Sequence, residues 1–514
     1  MKNIYFVLCS IFTLIALPYN LSQAQTDVPD NKGKEFWLMF NRNNDNVDVQ
    51  LELYITSNKE TSGYVKLPDS SIINFEVLPD ETTSVEIPNK FIAYEEDGIE
   101  HKGINIVTEK EVSVYVLNQK SSSTDSYLAL PVDVLGEEYL VMTNNSYAPN
   151  SSSAPVFGLV ATMDNTEVTI VPSATAQNRQ SGIPYKILLQ RGESYQLTSD
   201  GYFTDLTGTS ITSNKPVAVF SGHTCGNVPL FTDGCDQMIE QMPPVTTLGK
   251  KFITVPLATR KEGDVFRVLA TRDDTQIKVE GTNGFSEEFS LDKGDFEILN
   301  IPSNAYTQIE SNYSVMVAQL SKGQATDNVS ADPFLMLVPP IEQYQKQYEI
   351  NTFQTGFENH FINIAVPISQ KNKVRIDGSR IGSSIFVDIP NSGYAGAQIQ
   401  VAEGSHHISS ELPFAALMYG FSSFNAYGNL VGQGMAEIAK IQNLHLMMDD
   451  EGHQGITYCA KALVTDSENS PLFGVKVDFE IQGPNQQKGF GITNKGGLAQ
   501  FCFDVSTKGT DTVI

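Results

Sequence analysis

Positive charge is scarce in this chain. It has 34 Lys and Arg against 60 Asp and Glu over 514 residues, a formal net charge of −26. That balance repels phosphates, so neither nucleic acid nor anionic lipid is expected as a partner. Metal-binding patterns are also missing. The seven His residues (His101, His223, His360, His406, His407, His445 and His453) form no H-E-x-x-H or comparable spacing, and the acidic residues form no EF-hand or RTX-type loop. His406 and His407 are adjacent in a predicted strand, so they point to opposite faces and cannot easily share a metal. There is no G-x-S-x-G elbow and no phosphate-cradling G-x-x-x-x-G-K-[ST]. No cofactor or metal is expected. Trp37 is the single Trp. In KEFWLMF it reads as part of a first core strand, with sugar stacking as the alternative, and the rarity of Trp weighs against a dedicated carbohydrate cleft.

Long apolar runs are limited to Ile4–Leu17. It follows Lys2 and precedes the small-x-small site Ser22-Gln23-Ala24, the pattern of a secretory signal peptide cut after Ala24. No later run is long and apolar enough to span a bilayer, and no Cys follows for lipid attachment. The mature chain is therefore expected to be secreted or at the cell surface, without membrane insertion. Cysteine is sparse too. Cys9 leaves with the signal, and Cys225, Cys235, Cys459 and Cys502 remain. An even number in an exported chain points to disulfides, and proximity pairs Cys225 with Cys235 and Cys459 with Cys502. Each contributes roughly 3–4 kcal/mol on the loop-entropy model.

What the chain does have is a repeat. VFGLVATMDNTEVTIVP (156–172) and VFRVLATRDDTQIKVEG (265–281) match at V-F, A-T, Asp and Thr. After each copy comes a Gly-turn pair of strands, ILLQRGESYQL (187–197) and FSLDKGDFEIL (289–299). Strongly apolar strands follow, KPVAVFSG (215–222) and YSVMVAQLSKG (313–323), with looser versions in EVSVYVLNQ (111–119) and LPFAALMYGF (412–421). A Pro-containing return also recurs, at 130–141, 243–255 and 339–350. These matches give four degenerate units, about 32–150, 151–257, 258–355 and 356–434, within a region of 25–434. The pattern is β throughout. Ile277 and Val279 alternate with Gln276 and Lys278, as in a half-buried strand. VAVF (217–220) is apolar on both faces, as in a central strand. Asp164-Asn165 and Asp273-Asp274 read as turns. The fold class expected is all-β: tandem sandwich-like units, in a ring or a row. A short helix is expected over GMAEIAKI (434–441), leading to a last β domain over 435–514 that ends on a strand and reads as incomplete.

The run SGHTCGNVPLFTDGCDQMIEQMPPVTTLGKKFITVPL (221–257), with GDVFRVLAT after it, resembles the N-terminal domain of the IgG Fc-binding protein family. The motifs carrying the likeness are the paired Cys, Glu-Gln-x-Pro-Pro-Val and Gly-Asp-x-Phe-Arg-Val. DPFLMLVPPIEQY (332–344) and ELPFAALMYGFSSFNAYG (411–428) resemble later motifs, so the likeness spans roughly 32–434. The last domain resembles bacterial immunoglobulin-like modules of the invasin and intimin type through Tyr458-Cys459, Leu463-Val464-Thr465-Asp466, Gly474-Val475-x-Val477-x-Phe479, Gly483-Pro484-Asn485 and Phe501-Cys502. The first resemblance implies an extracellular protein or glycoprotein partner, with immunoglobulin and mucin as examples. The second implies a stalk on a bacterial surface.

Candidate chemistry is thin. A Cys225–His223 nucleophile needs a free thiol, which a disulfide removes. Asp236 and Glu240 form a conceivable carboxylate pair, but Glu240 lies in the repeated return and reads as structural. The candidate binding site is the stapled loop CGNVPLFTDGC, with Asn227, Leu230 and Phe231, because a rigid loop loses less entropy on binding. The expected function is non-catalytic binding or adhesion. The alternatives are an extracellular hydrolase of glycans or proteins and a structural surface-matrix component.

Overall fold

The structure, a computed structural model, describes residues 29–44, 48–79, 81–145, 153–353, 356–436, 438, 443–447, 455–465, 475–494 and 496–514. The expected signal peptide lies outside the described residues. Among the described residues every regular element is a strand or a short 3₁₀ turn.

The first unit sets the pattern. Its strands are β1 (Gly33–Leu38), β2 (Gln50–Thr56), β3 (Thr61–Lys66), β4 (Ile72–Val77), β5 (Thr82–Ile87), β6 (Asp97–Glu100), β7 (Ile104–Lys120) and β8 (Ser123–Leu128). The long β7 belongs to two sheets. Its first half pairs with β1 and β3, giving the order β4-β3-β7-β1. Its second half pairs with β2 and β8, giving β5-β2-β7-β8. In the second and third units the strand equivalent to β7 is interrupted. Ser210–Ser213 and Val217–Gly226 replace it in one, Thr307–Ser311 and Val315–Leu320 in the other. Residues 214–216 and 312–314 form the gaps. In the fourth unit the strand is whole again, Ser405–Ser422. All four units show the same two four-stranded orders, with β6 added at one edge in the second unit and Val387–Asp388 in the fourth, and all their pairings are antiparallel; counted by the sheets they join, Glu138–Leu140, Lys251–Thr254 and Gln345–Asn351 are the first strands of the second, third and fourth units. The backbone N–H groups of Ala129, Met242, Val338 and Val431 donate to the carbonyls of Val114, Val219, Val317 and Ala416, the same bond once per unit.

The visible repeat is turn chemistry. Asn165 and Asp274 take left-handed backbone, with φ of 53° and 55°. Asp164 accepts from the N–H of Arg191, and Asp273 from that of Lys293. The hydroxyls of Thr166 and Thr275 close the turn onto Met163 and Arg272. Between these turns Thr275–Gly281 alternates buried and exposed, and Val217–Phe220 is buried throughout, as expected.

The units form a ring. The last strands of the units, β8, Asp236–Gln241, Leu335–Leu337 and Asn425–Leu430, lie innermost, each touching two others around a common axis. Closure occurs where the described chain begins. Asp30 bridges Gly434, Asn31 accepts from the Gln433 N–H, and the Met435 N–H reaches the Pro29 carbonyl. These contacts displace the helix expected over 434–441. The N–H groups of Gly434, Met435 and Ile438 donate to Gln343, Pro29 and Thr246, not to carbonyls four residues back. Residues 437 and 439–441 lie outside the described set. Beyond the ring, two three-stranded sheets pack together. One holds Asn443–Met447, Thr457–Thr465 and Leu498–Asp504, and the other Lys476–Gln482, Gln487–Ile492 and Thr512–Val513. Cys459 and Cys502, directly opposite on neighbouring strands, are joined there.

Candidate binding surface

At the ring axis sits one carboxylate. Asp125 is fully buried and accepts from the N–H groups of Ser126, Ile239, Leu335 and Gly428, one from each inner strand. Burial pushes this carboxyl well up, and the four donors pull it back. Asp236 and Glu240 lie in the same sealed core and are likewise pushed up by burial. Asp236 accepts from the Thr124 N–H, and Glu240 from that of Leu337. These two carboxylates, considered above as a hydrolytic pair, therefore tie strands of adjacent units together, out of reach of a glycan. His223 is fully buried, and burial lowers its pKa to about 3. Its Nδ1 accepts from the Cys225 N–H at 3.1 Å, and the sulfur of Cys225 is bonded to Cys235, so no thiolate faces it.

The stapled loop leaves Val217–Gly226 and returns as Asp236–Gln241. Asn227 turns inward: its Nδ2 donates to the carbonyls of Thr232 and Gly234, and its own carbonyl accepts from Asn144. These bonds shape the loop. Leu230 is half-buried. Phe231 is 69% exposed, with φ at 72°, a backbone region costly for a side chain of this size. The Gly323 N–H donates to the Val228 carbonyl at 2.7 Å, docking the loop on the third unit.

Two residues that sequence reasoning missed complete the surface. Tyr202 and Phe203 lie between Ser194–Thr198 and Ser210–Ser213 and are 69% and 55% exposed. The ring of Phe203 lies 6.0 Å from that of Phe231 and 6.4 Å from that of Tyr202. Phe203 also has positive φ, 53°. The available signal was an aromatic pair directly after Asp200-Gly201, a turn dipeptide that puts the next residues at the surface. Arg267, of the Gly-Asp-x-Phe-Arg-Val motif, was missed as well. It is fully buried, reaches back to Thr143 and Asp205 in the second unit, and lies over the ring of Phe296.

The other residues singled out have structural surroundings. Trp37 is in β1, buried, with the Arg191 guanidinium 5.5 Å from its ring. His406 bonds Asp377 and the Ala402 carbonyl. Among the described residues no group of three His, Cys, Asp or Glu is placed to hold a metal, and no helix is long and apolar enough to cross a membrane.

The architecture is that of an all-β ring of four sandwich units with a stapled aromatic loop on its surface. The chain belongs to the IgGFc binding protein family, whose model matches residues 125–420. It is 24% identical to the human IgGFc-binding protein over 405 residues, covering 76% of this chain but 7% of that much longer protein. Solved structures add nothing to the argument. A tetra-tandem repeat from the extending region of a large adhesion protein covers 73% of this chain and 94% of its own at 10% identity, with a TM-score of 0.13. An Escherichia coli alpha-2-macroglobulin covers 92% and 50% at 8% identity, with a TM-score of 0.12.

Proposed function

We propose that this chain is an exported, non-catalytic binding protein that recognises an extracellular protein or glycoprotein through the stapled loop and its aromatic neighbours. The observation that carries this reading is the contiguous exposure of Tyr202, Phe203 and Phe231 on two loops, one of them closed by a disulfide. Exposed aromatics supply large contact area at low entropic cost, and a stapled loop is already ordered before it binds. Family membership supports a binding role, and the name of the human relative makes immunoglobulin Fc the first partner to test.

The wider organisation follows the same reading. Residues 1–24 act as a signal peptide, 25–434 form the head, and 435–514 form an immunoglobulin-like stalk module. The bacterial-surface reading rests on the stalk's resemblance alone; the similar IgGFc-binding protein is human.

The test is capture of IgG Fc, mucin and matrix extract by the purified chain, beside a Tyr202→Ser/Phe231→Ser variant. Losing two exposed aromatic anchors is expected to weaken capture at least tenfold, since such anchors contribute roughly 2 kcal/mol each or more. Equal capture by a folded variant rejects the site. Catalytic release of glycan or peptide products by the wild type rejects the function.

A further inference from the structure

The stapled loop is one of four equivalent connections. Each inner strand is entered through such a connection, at 121–122, 227–235, 321–334 and 423–424. All four meet at one end of the ring axis. The Gly323 N–H donates to the Val228 carbonyl, and the Asn425 side chain donates to the Ser121 carbonyl. Thr124, just past the 121–122 turn, donates to Asn425 through its hydroxyl and to Asp236 through its N–H. The 423–424 turn of the fourth unit therefore stands at the same end as the stapled loop, across the axis from it. Phe424 lies in that turn, 55% exposed, with φ at 62°. Phe424 and Phe231 share their exposure and a left-handed backbone costly for a large side chain.

The exposed charge at this end is acidic. Strand register brings six connections here, and they carry the exposed Asp48, Asp200, Asp233, Glu262, Glu358 and Glu403. None of the six forms an ion pair with a described residue. Among the described residues of the same connections, Lys261 is the exposed cation; Arg42 and Arg260 are buried. A surface of this sign is the complement of a basic partner. The chain itself shows how a guanidinium uses a ring beside a carboxylate. Arg42 lies 5.0 Å from the Tyr94 ring and pairs with Glu96. Arg179 lies 4.2 Å from the Tyr185 ring and pairs with Asp97. Arg191 lies 5.5 Å from the Trp37 ring and pairs with Glu35. At the axial end the same two elements recur in the sequence. Asp200 precedes Tyr202 by two residues, and Asp233 follows Phe231 by two. On the fourth unit the Glu358 N–H donates to the Phe421 carbonyl, at the foot of the turn that carries Phe424.

We propose that this axial end is one interaction surface, and that its partner is a polypeptide segment rich in arginine. Its guanidinium groups lie on the exposed rings and pair with the carboxylates among them. The surface takes in the stapled loop of the second unit and Phe424 of the fourth. It rests on the reading of the loop given above, to which it adds a second anchor and the chemistry of the partner.

The experiment is fluorescence anisotropy of the whole chain with fluorescein-labelled Gly-Arg-Gly-Arg-Gly-Arg-amide and its lysine and glutamate counterparts. It is run at about 150 mM salt, where charges more than about 8 Å apart are largely screened. Saturable binding of the arginine peptide is expected, with the lysine peptide weaker and the glutamate peptide silent. Phe424→Ser is expected to weaken the arginine peptide about two- to fivefold, the effect of one exposed contact between cation and ring. Tyr202→Ser/Phe231→Ser is expected to weaken it further. Leu188→Ser, at an exposed apolar position of the outer edge strand Tyr185–Leu189, is expected to change nothing. Absence of binding by the arginine peptide, equal binding of the lysine peptide, or undiminished binding in folded Phe424→Ser each overturns the proposal. In that last case a loss confined to Tyr202→Ser/Phe231→Ser leaves the loop site standing without its extension. A loss in Phe424→Ser alone removes the loop site and this proposal together.

Discussion

Asp125 collects four backbone N–H donors from four strands, so its removal has consequences beyond one contact. Asp125→Ala strands those donors in a dry core at roughly 1–3 kcal/mol each, and a loss of about 4 kcal/mol or more is expected in chemical denaturation. Other buried carboxyls set the pH response. Burial raises Asp332 to about 7 and Asp264 to about 6, Arg260 opposing it in both. Each keeps its proton in the folded state over a range where the unfolded chain, titrating near 4, has lost it. Their stabilisation is full below about pH 4 and is lost as pH rises through about 6 for Asp264 and about 7 for Asp332. Asp205, which burial pushes up and Arg267 pulls down further, ends below its ordinary value and so acts only at lower pH. The melting temperature is therefore expected to be higher at pH 5 than at pH 8, and Asp332→Asn to reduce that difference. The sequence announced none of these partners. Asp125 sits in STDSYLAL, where alternation alone reads it as an ordinary strand residue, and only ring closure brings three other strands to it.

At the level of elements, glycine marks the seams. The Gly103 N–H donates to the Gly192 carbonyl between the first and second units, and the equivalent Gly208 lies against Gly294 between the second and third. At Gly208, φ is 88° and a Cβ would stand 2.1 Å from the Gly294 carbonyl oxygen. Gly208→Ala is expected to cost about 2–4 kcal/mol from strain and overlap together. Gly182→Ala, with φ of 72° and open space around it, should cost about 1 kcal/mol. Melting of the two variants side by side separates crowding from backbone preference. Strand periodicity, the Asp-Asn and Asp-Asp turns and both cysteine pairings were legible in the sequence because each depends on residues close in the chain or on local turn geometry. The supposed helix at 434–441 was misread for the opposite reason. Its spacing suits a helix, but among its described residues the N–H groups of Gly434, Met435 and Ile438 are claimed by carbonyls of distant residues.

On the scale of the whole molecule, the cores are shared. One cluster combines Phe36 and Val114 with Phe220 and Ile239, another combines Tyr139 and Val219 with Leu269 and Met316, and a third combines Tyr54 and Tyr115 with Phe361 and Tyr419. The ring is therefore expected to unfold as one unit in scanning calorimetry, and the sheets of 443–514, with their own small core, in a second transition. Reducing Cys459–Cys502, which closes 43 residues, should lower the second transition by about 4 kcal/mol and leave the first in place apart from the effect of Cys225–Cys235.

The bridge between Asp30 and Gly434 puts the chain's entry to the ring beside its exit. A tensile load passing along the polypeptide would thus reach the ring at a single point. It would peel the few bonds of that clasp one after another and would not stretch the four units in series. A pull on the following module, with a partner held at the ring's outer surface, would load that clasp first and leave the rest of the ring in shape until the clasp gives way.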